Sequence, residues 1–254
     1  MKKISLSFLL ILMIGMMNSC KEDILDDSVD ADAGKNVFLD TYYYWDGGLF
    51  NKDSTYIVPG AFIQIDQISI LYSNIAFINE GDSMDIGDFS AVSTLNVLST
   101  PIGYLEPMSY SGTLYINAGL DSAASNTPPS VSPEGSAQIQ NPSLFRGNLQ
   151  GYNWLVVSGR YKDISDTTSG APSEPFEYVL GTNEFHSTFS RSANFLLENA
   201  REAHFSATVD IQKLMAYSPS DVPFIYADPT DNDDFTKAQN LHTAFEINAY
   251  ELDK

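Results

Sequence analysis

One cysteine, Cys20, is all the thiol this chain has, and three histidines are all its imidazole. A single cysteine rules out a disulfide framework within the chain, and once that sulfur carries a substituent no thiol remains for catalysis or metal ligation. Stability must then come from a packed core, which a chain of 254 residues is long enough to build. His186, His204 and His242 stand far apart, and none belongs to an HxH or HExxH pair. Cations are scarce as well. Thirteen Lys and Arg face 33 Asp and Glu, a net charge of −20, which is hostile to the phosphate contacts that nucleic-acid binding requires. GxSxG, a glycine-rich phosphate loop and a dinucleotide fingerprint are all missing. No catalytic constellation is left, so the reading is a non-catalytic protein.

What is present begins at the N-terminus. Lys2 and Lys3 precede an almost wholly apolar run over residues 4–17, the length of a signal-peptide core and short for a membrane span. Met17-Asn18-Ser19-Cys20 follows and resembles a lipobox, with Asn18 where a small residue is more usual. The expectation is a lipoprotein signal over residues 1–19, cleavage before Cys20, and lipid on that cysteine as the membrane partner. Cleavage removes Lys2 and Lys3 and leaves 11 basic against 33 acidic side chains, a charge of −22. Residues 20–35 form the lipidated cysteine and an acidic tether, rich in aspartate and without periodicity. Lys21-Glu22-Asp23 resembles the acidic tag of Gram-negative lipoproteins sent to the cell surface, or is plain linker. The expected location is the cell envelope, lipid-anchored to the outer membrane, on a face the sequence leaves open.

From Asn36 to the C-terminus the pattern predicts a single all-β domain, 36–254. Val37, Leu39, Thr41, Tyr43 and Trp45 alternate with Phe38, Asp40, Tyr42 and Tyr44. Ile63 and Ile65 alternate with Gln64 and Asp66, then Ile68, Ile70 and Tyr72 with Ser69 and Leu71. Strands are also expected over 113–119, 154–161 and 204–211. Asp46-Gly47-Gly48 and Pro59-Gly60 punctuate these runs as turns. The prediction is a β-sandwich of mostly antiparallel strands. A long central loop over 120–150 carries short helical turns, and a short C-terminal helix covers 234–245 with Phe235, Ala238, Leu241 and Phe245 on one face.

Asp228, Asp231, Asp233 and Asp234 form the most site-like local cluster. Four carboxylates supply the hard oxygens Ca2+ takes, although the glycine and final glutamate of an EF-hand are missing. The competing reading is an acidic turn that starts the C-terminal helix, where carboxylates favour the positive dipole end.

Several fragments, in order, resemble the MbnP-like family of exported proteins, named after a copper-binding periplasmic protein associated with methanobactin. They are Tyr72-Ser73-Asn74-Ile75; Gly119-Leu120-Asp121-Ser122-Ala123 with Asn126; Trp154 with Gly159 and Tyr161; and Phe176-Glu177-Tyr178-Val179-Leu180-Gly181. Val209-Asp210 and the closing Ala238, Asn240 and Phe245 complete the series. The resemblance implies a β-sandwich and metal handling, with copper as the family's cofactor, bound through histidine and an oxidised tryptophan. Two departures bear on that site. Val179 stands where the family has histidine, and Val156 where it has a second tryptophan. The family copper site is therefore expected to be incomplete. The alternative is a surface adhesion or complex-assembly module without metal, with a protein partner in the envelope, a use that 14 Tyr and 15 Phe can serve as readily as core packing.

Overall fold

The computed structural model describes residues 34–253 except 80–81, 88–90, 96–98, 121, 133–136, 148–150, 182–184, 199 and 217–231. Cys20, the tether up to residue 33, Asp228 and Asp231 lie outside the described residues, whereas Lys35, expected in the tether, opens the first strand. Residues Gly34–Lys254 form one compact unit.

The strands are β1 (Lys35–Trp45), β2 (Gly48–Leu49), β3 (Tyr56–Val58), β4 (Ala61–Asn79), β5 (Asp82–Gly87), β6 (Ala91–Thr94), β7 (Ser99–Leu105) and β8 (Ser109–Ala118). Short helices α1 (Ser122–Ser125) and α2 (Ala137–Gln140) follow, then β9 (Leu155–Asp163), β10 (Glu174–Leu180), β11 (Ser187–Leu196) and β12 (Glu202–Asp210). The chain closes with α3 (Ile211–Ala216), α4 (Asn232–Thr243), a π-helical turn (Ala244–Ala249) and β13 (Tyr250–Asp253). One sheet runs β13-β12-β1-β2 with β7 also on β1; the other runs β10-β9-β4-β8-β11 with β3, β5 and β6 on β4.

The all-β sandwich is what the alternation predicts. In β1, Val37, Leu39, Thr41 and Tyr43 are buried, while Phe38, Asp40, Tyr42 and Tyr44 are partly exposed. Side chains of period two send one set inward and the other outward. β1 pairs in parallel with β12 from Asn36↔Glu202 to Tyr44↔Asp210. The other strand pairings described are antiparallel.

The second sheet is organised by β4, whose 19 residues join the two isoleucine series. Its pairing with β9 shifts between Ile65 and Gln67, and there Asp66 and Gln67 are both exposed. One extra residue at a β-bulge restores the inward phase for Ile68, Ile70 and Tyr72. A second shift against β8 falls between Ser73 and Ala76, where Asn74 takes a left-handed φ of 47°. Asparagine tolerates that conformation better than most residues.

The central loop carries α1, α2 and two 3-10 turns, Pro129–Val131 and Pro142–Leu144. Tyr152 pins it from the far end: its N–H donates to Ser125 Oγ and its hydroxyl to the Thr127 carbonyl. The C-terminal helix begins two residues earlier than predicted, and a π-turn and strand extend the chain beyond it. Tyr250 and Leu252 of that strand face the core, and only four residues of alternation preceded the chain end to signal it. Among the described residues no helix is long and apolar enough to cross a membrane.

Candidate functional site

Trp154 sits just before β9, and its backbone is fixed on both sides. Its N–H donates to the Leu180 carbonyl at 2.8 Å, and its carbonyl accepts from Leu71 N–H at 2.7 Å. The indole is 1% exposed, with Phe245 at 5.2 Å and His242 at 6.3 Å, both edge-on. Its Nε1–H, buried, has no hydrogen-bond acceptor. A buried donor without an acceptor is costly, and such groups mark sites as often as strain.

His242 comes from the last turn of α4, 56 residues beyond His186, yet the fold brings the two together. The His242 ring shares a hydrogen bond with the His186 backbone, and its Nε2 lies 2.8 Å from Ser187 Oγ. Burial pushes the His242 pKa down; Glu246 and the His186 backbone bond work against that, and the charge of His186 adds to it. His242 is thus neutral at ordinary pH, the form in which an imidazole ligates metal.

Gly119 closes the corner. Its φ is 100°, and a Cβ there would lie 3.1 Å from His186 Cβ and 3.3 Å from Trp154 Cδ1. Ser73 Oγ donates to its carbonyl, and its own N–H donates to Leu71. Four fragments distant in sequence, at positions 73, 119, 154 and 242, therefore converge on one end of the second sheet. In sequence the histidines are isolated, and no local spacing signals the pair. The nearest clue was Phe245, one helical turn beyond Leu241 on the face that meets Trp154.

Val179 and Val156, the departures from the resemblance, are cross-strand partners in the β10–β9 register. Both are buried, at 1% and 5% exposure, so this pair offers packing and no donor atom. Of the aspartate cluster, Asp233 and Asp234 belong to the first turn of α4, in keeping with the helix-start reading, while Asp228 and Asp231 are outside the described residues.

His204 lies elsewhere, on the outer face of the first sheet. Its Nδ1 is 3.0 Å from Asp40 and its Nε2 3.1 Å from Glu202, and its ring stacks on Phe38 at 5.1 Å. Partial burial opposes its charge, but the hydrogen bonds and charges of Glu202 and Asp40 outweigh that and raise its pKa. The two carboxylates flank opposite ring nitrogens and do not converge on one point. Among the described residues no group of three or more His, Cys, Asp and Glu is arranged to hold a metal ion.

The architecture is a β-sandwich with an indole and two histidines at one end. Among solved structures the chain is similar in fold to MbnP from Methylosinus trichosporium, at 10% sequence identity and a TM-score of 0.47, over 72% of this chain and 78% of that one. No protein-family model matches the sequence, and no curated protein matches it.

Proposed function

We propose that the chain is an exported, lipid-anchored, non-catalytic binding module that handles copper through His186 and His242 beside Trp154. The observation that carries this reading is the juxtaposition of two histidines next to a buried indole whose N–H has no acceptor. Imidazole nitrogen suits copper, and the lowered pKa of His242 favours the neutral ring, which would ligate by exchanging its Nε2 contact with Ser187 Oγ for the metal. The sequence resemblance supports the same metal and the same tryptophan. Two imidazoles are a smaller donor set than a complete site needs, so binding is weaker than in a protein with the position-179 histidine. Copper here is cargo, and no reaction step runs through it.

Metal analysis of the full chain from its native host, with copper titration of the wild type and of His186→Ala combined with His242→Ala, tests this. The wild type is expected to take up one copper per chain and the double variant none. Equal uptake by both, or none by either under excess copper, would sink the copper reading. The second reading, an assembly or adhesion module without metal, is favoured by one observation. The cross-strand pair Val156 and Val179 is buried and apolar where the resemblance calls for a tryptophan and a histidine.

A further inference from the structure

The outer face of the first sheet has a composition that core packing does not require. Its central strand β1 turns Phe38, Tyr42 and Tyr44 outward, opposite the buried Val37, Leu39, Thr41 and Tyr43. The register lays polar groups beside this aromatic row. Asp40 is flanked by Ser206 and Ser99, Tyr42 by Thr208, and Tyr44 by Asp210. Glu251 of β13 continues the Thr208 row, and Tyr104, 59% exposed, stands beside Asn36 at the other end. At about 3.3 Å per residue the row from Phe38 to Tyr44 runs roughly 20 Å.

Charge decides what such a face can take. Two of its cations are already matched: His204 by Asp40 and Glu202, Lys213 by Asp210. A cationic polymer would have to displace these pairs, and an anionic one would meet a chain of net charge −20. An uncharged ligand rich in hydroxyls meets neither obstacle. Its hydroxyls can donate to the side-chain oxygens of Ser99, Ser206, Thr208 and Glu251, which lie beside the row. Its apolar C–H faces can lie on the electron-rich faces of the rings. The face is an open sheet rather than a deep cleft, so an extended chain suits it better than a small molecule.

The geometry points to a binding face for a neutral polysaccharide on the outer surface of the first sheet, with Tyr42 and Tyr44 as its stacking platform. The proposal is independent of the Trp154 corner.

The test is affinity electrophoresis of the full chain in native gels containing amylopectin, mixed-linkage β-glucan, xylan or mannan, with alginate and polylysine in parallel. At least one neutral polymer is expected to retard the protein. Tyr42→Ala combined with Tyr44→Ala should weaken that retardation roughly tenfold, the usual scale for truncating aromatic anchors. Tyr104→Ala, whose ring is largely exposed and leaves the core untouched, should weaken it as well, while circular dichroism confirms that both variants fold. Retardation by none of the four neutral polymers would overturn the proposal. So would equal retardation of wild type and variants, or dependence on Tyr42 and Tyr44 for polylysine in place of a neutral polymer.

Discussion

His204 and His242 carry the same side chain into opposite environments, and the two respond to pH with opposite sign. His204 is raised by Asp40 and Glu202, so its ion pairs contribute fully below the ordinary histidine value of about 6.5 and are lost as pH climbs through the folded value. His242 is lowered, chiefly by burial, so its contribution is present above about 6.5 and is lost as pH falls through the folded value. Melting temperatures of wild type, His204→Gln and His242→Gln at about pH 5.5 and about pH 8 separate the two. The deficit of His204→Gln should be larger at the acid pH, and that of His242→Gln at the alkaline one. Deficits that do not change with pH would mean that neither charge state is coupled to folding. The same scale explains Gly119, where any side chain strains a φ of 100° and presses on His186 and Trp154. Gly119→Ala should lower the melting temperature and disturb Trp154 fluorescence together.

At the level of elements, β4 shows what one residue can decide. Asp66 is the extra residue of the bulge, and its bidentate pair with Arg160, at 3.1 and 3.2 Å, lies at the surface. Asp66→Asn should therefore cost less than about 1 kcal/mol. Deleting Asp66 removes the bulge and leaves Ile63, Ile65, Ile68, Ile70 and Tyr72 on one face in unbroken alternation. The deletion should therefore keep a cooperative melt, and loss of cooperative unfolding would refute this reading of the bulge. Opposite the bulge, Gly159→Ala would bring a Cβ within 2.0 Å of the Gln64 carbonyl, and should cost about 1–3 kcal/mol in chemical denaturation. This explains why sequence reading succeeded where it did. Strands with a buried period of two, such as β1, β4 and β12, announce themselves through their alternation. The change of phase between Ile65 and Ile68 was visible as two isoleucine series, and the bulge is its physical form. β6, β7 and β11 were not read, because their inward positions include Ser93, Thr100 and Ser187, polar residues whose burial only tertiary contact explains. The two-histidine corner was illegible for a related reason. Residues 186 and 242 meet through the docking of α4 and its π-turn, and no local spacing encodes a docking.

For the molecule as a whole, the imbalance of charge and the single cysteine bear on one question, how the chain is held. On the proposed lipoprotein reading the cleaved chain would carry a charge of −22 and gain nothing from an anionic leaflet, whose surface attracts polybasic segments. Adsorption through the folded domain would therefore be a poor anchor, and the acyl group proposed for Cys20 would be the strong one. Each buried CH2 adds ~0.8 kcal/mol, and two or more chains hold a protein where one myristoyl group gives only reversible binding. Cys20→Ala removes the acceptor of the lipid without touching the described domain, which begins at Gly34. In the native host, the variant is expected to retain its signal segment, or to leave the membrane fraction for the soluble one. Its melting temperature, measured on the soluble product, should match that of the wild-type domain, since no described contact involves residue 20. Washing membranes with high salt discriminates further: a lipid anchor survives it, whereas an electrostatic one is screened within a Debye length of about 10 Å at 0.1 M and about 3 Å at 1 M. Wild-type protein released by salt alone would refute the anchor, as would Cys20→Ala protein that is processed and still membrane-bound.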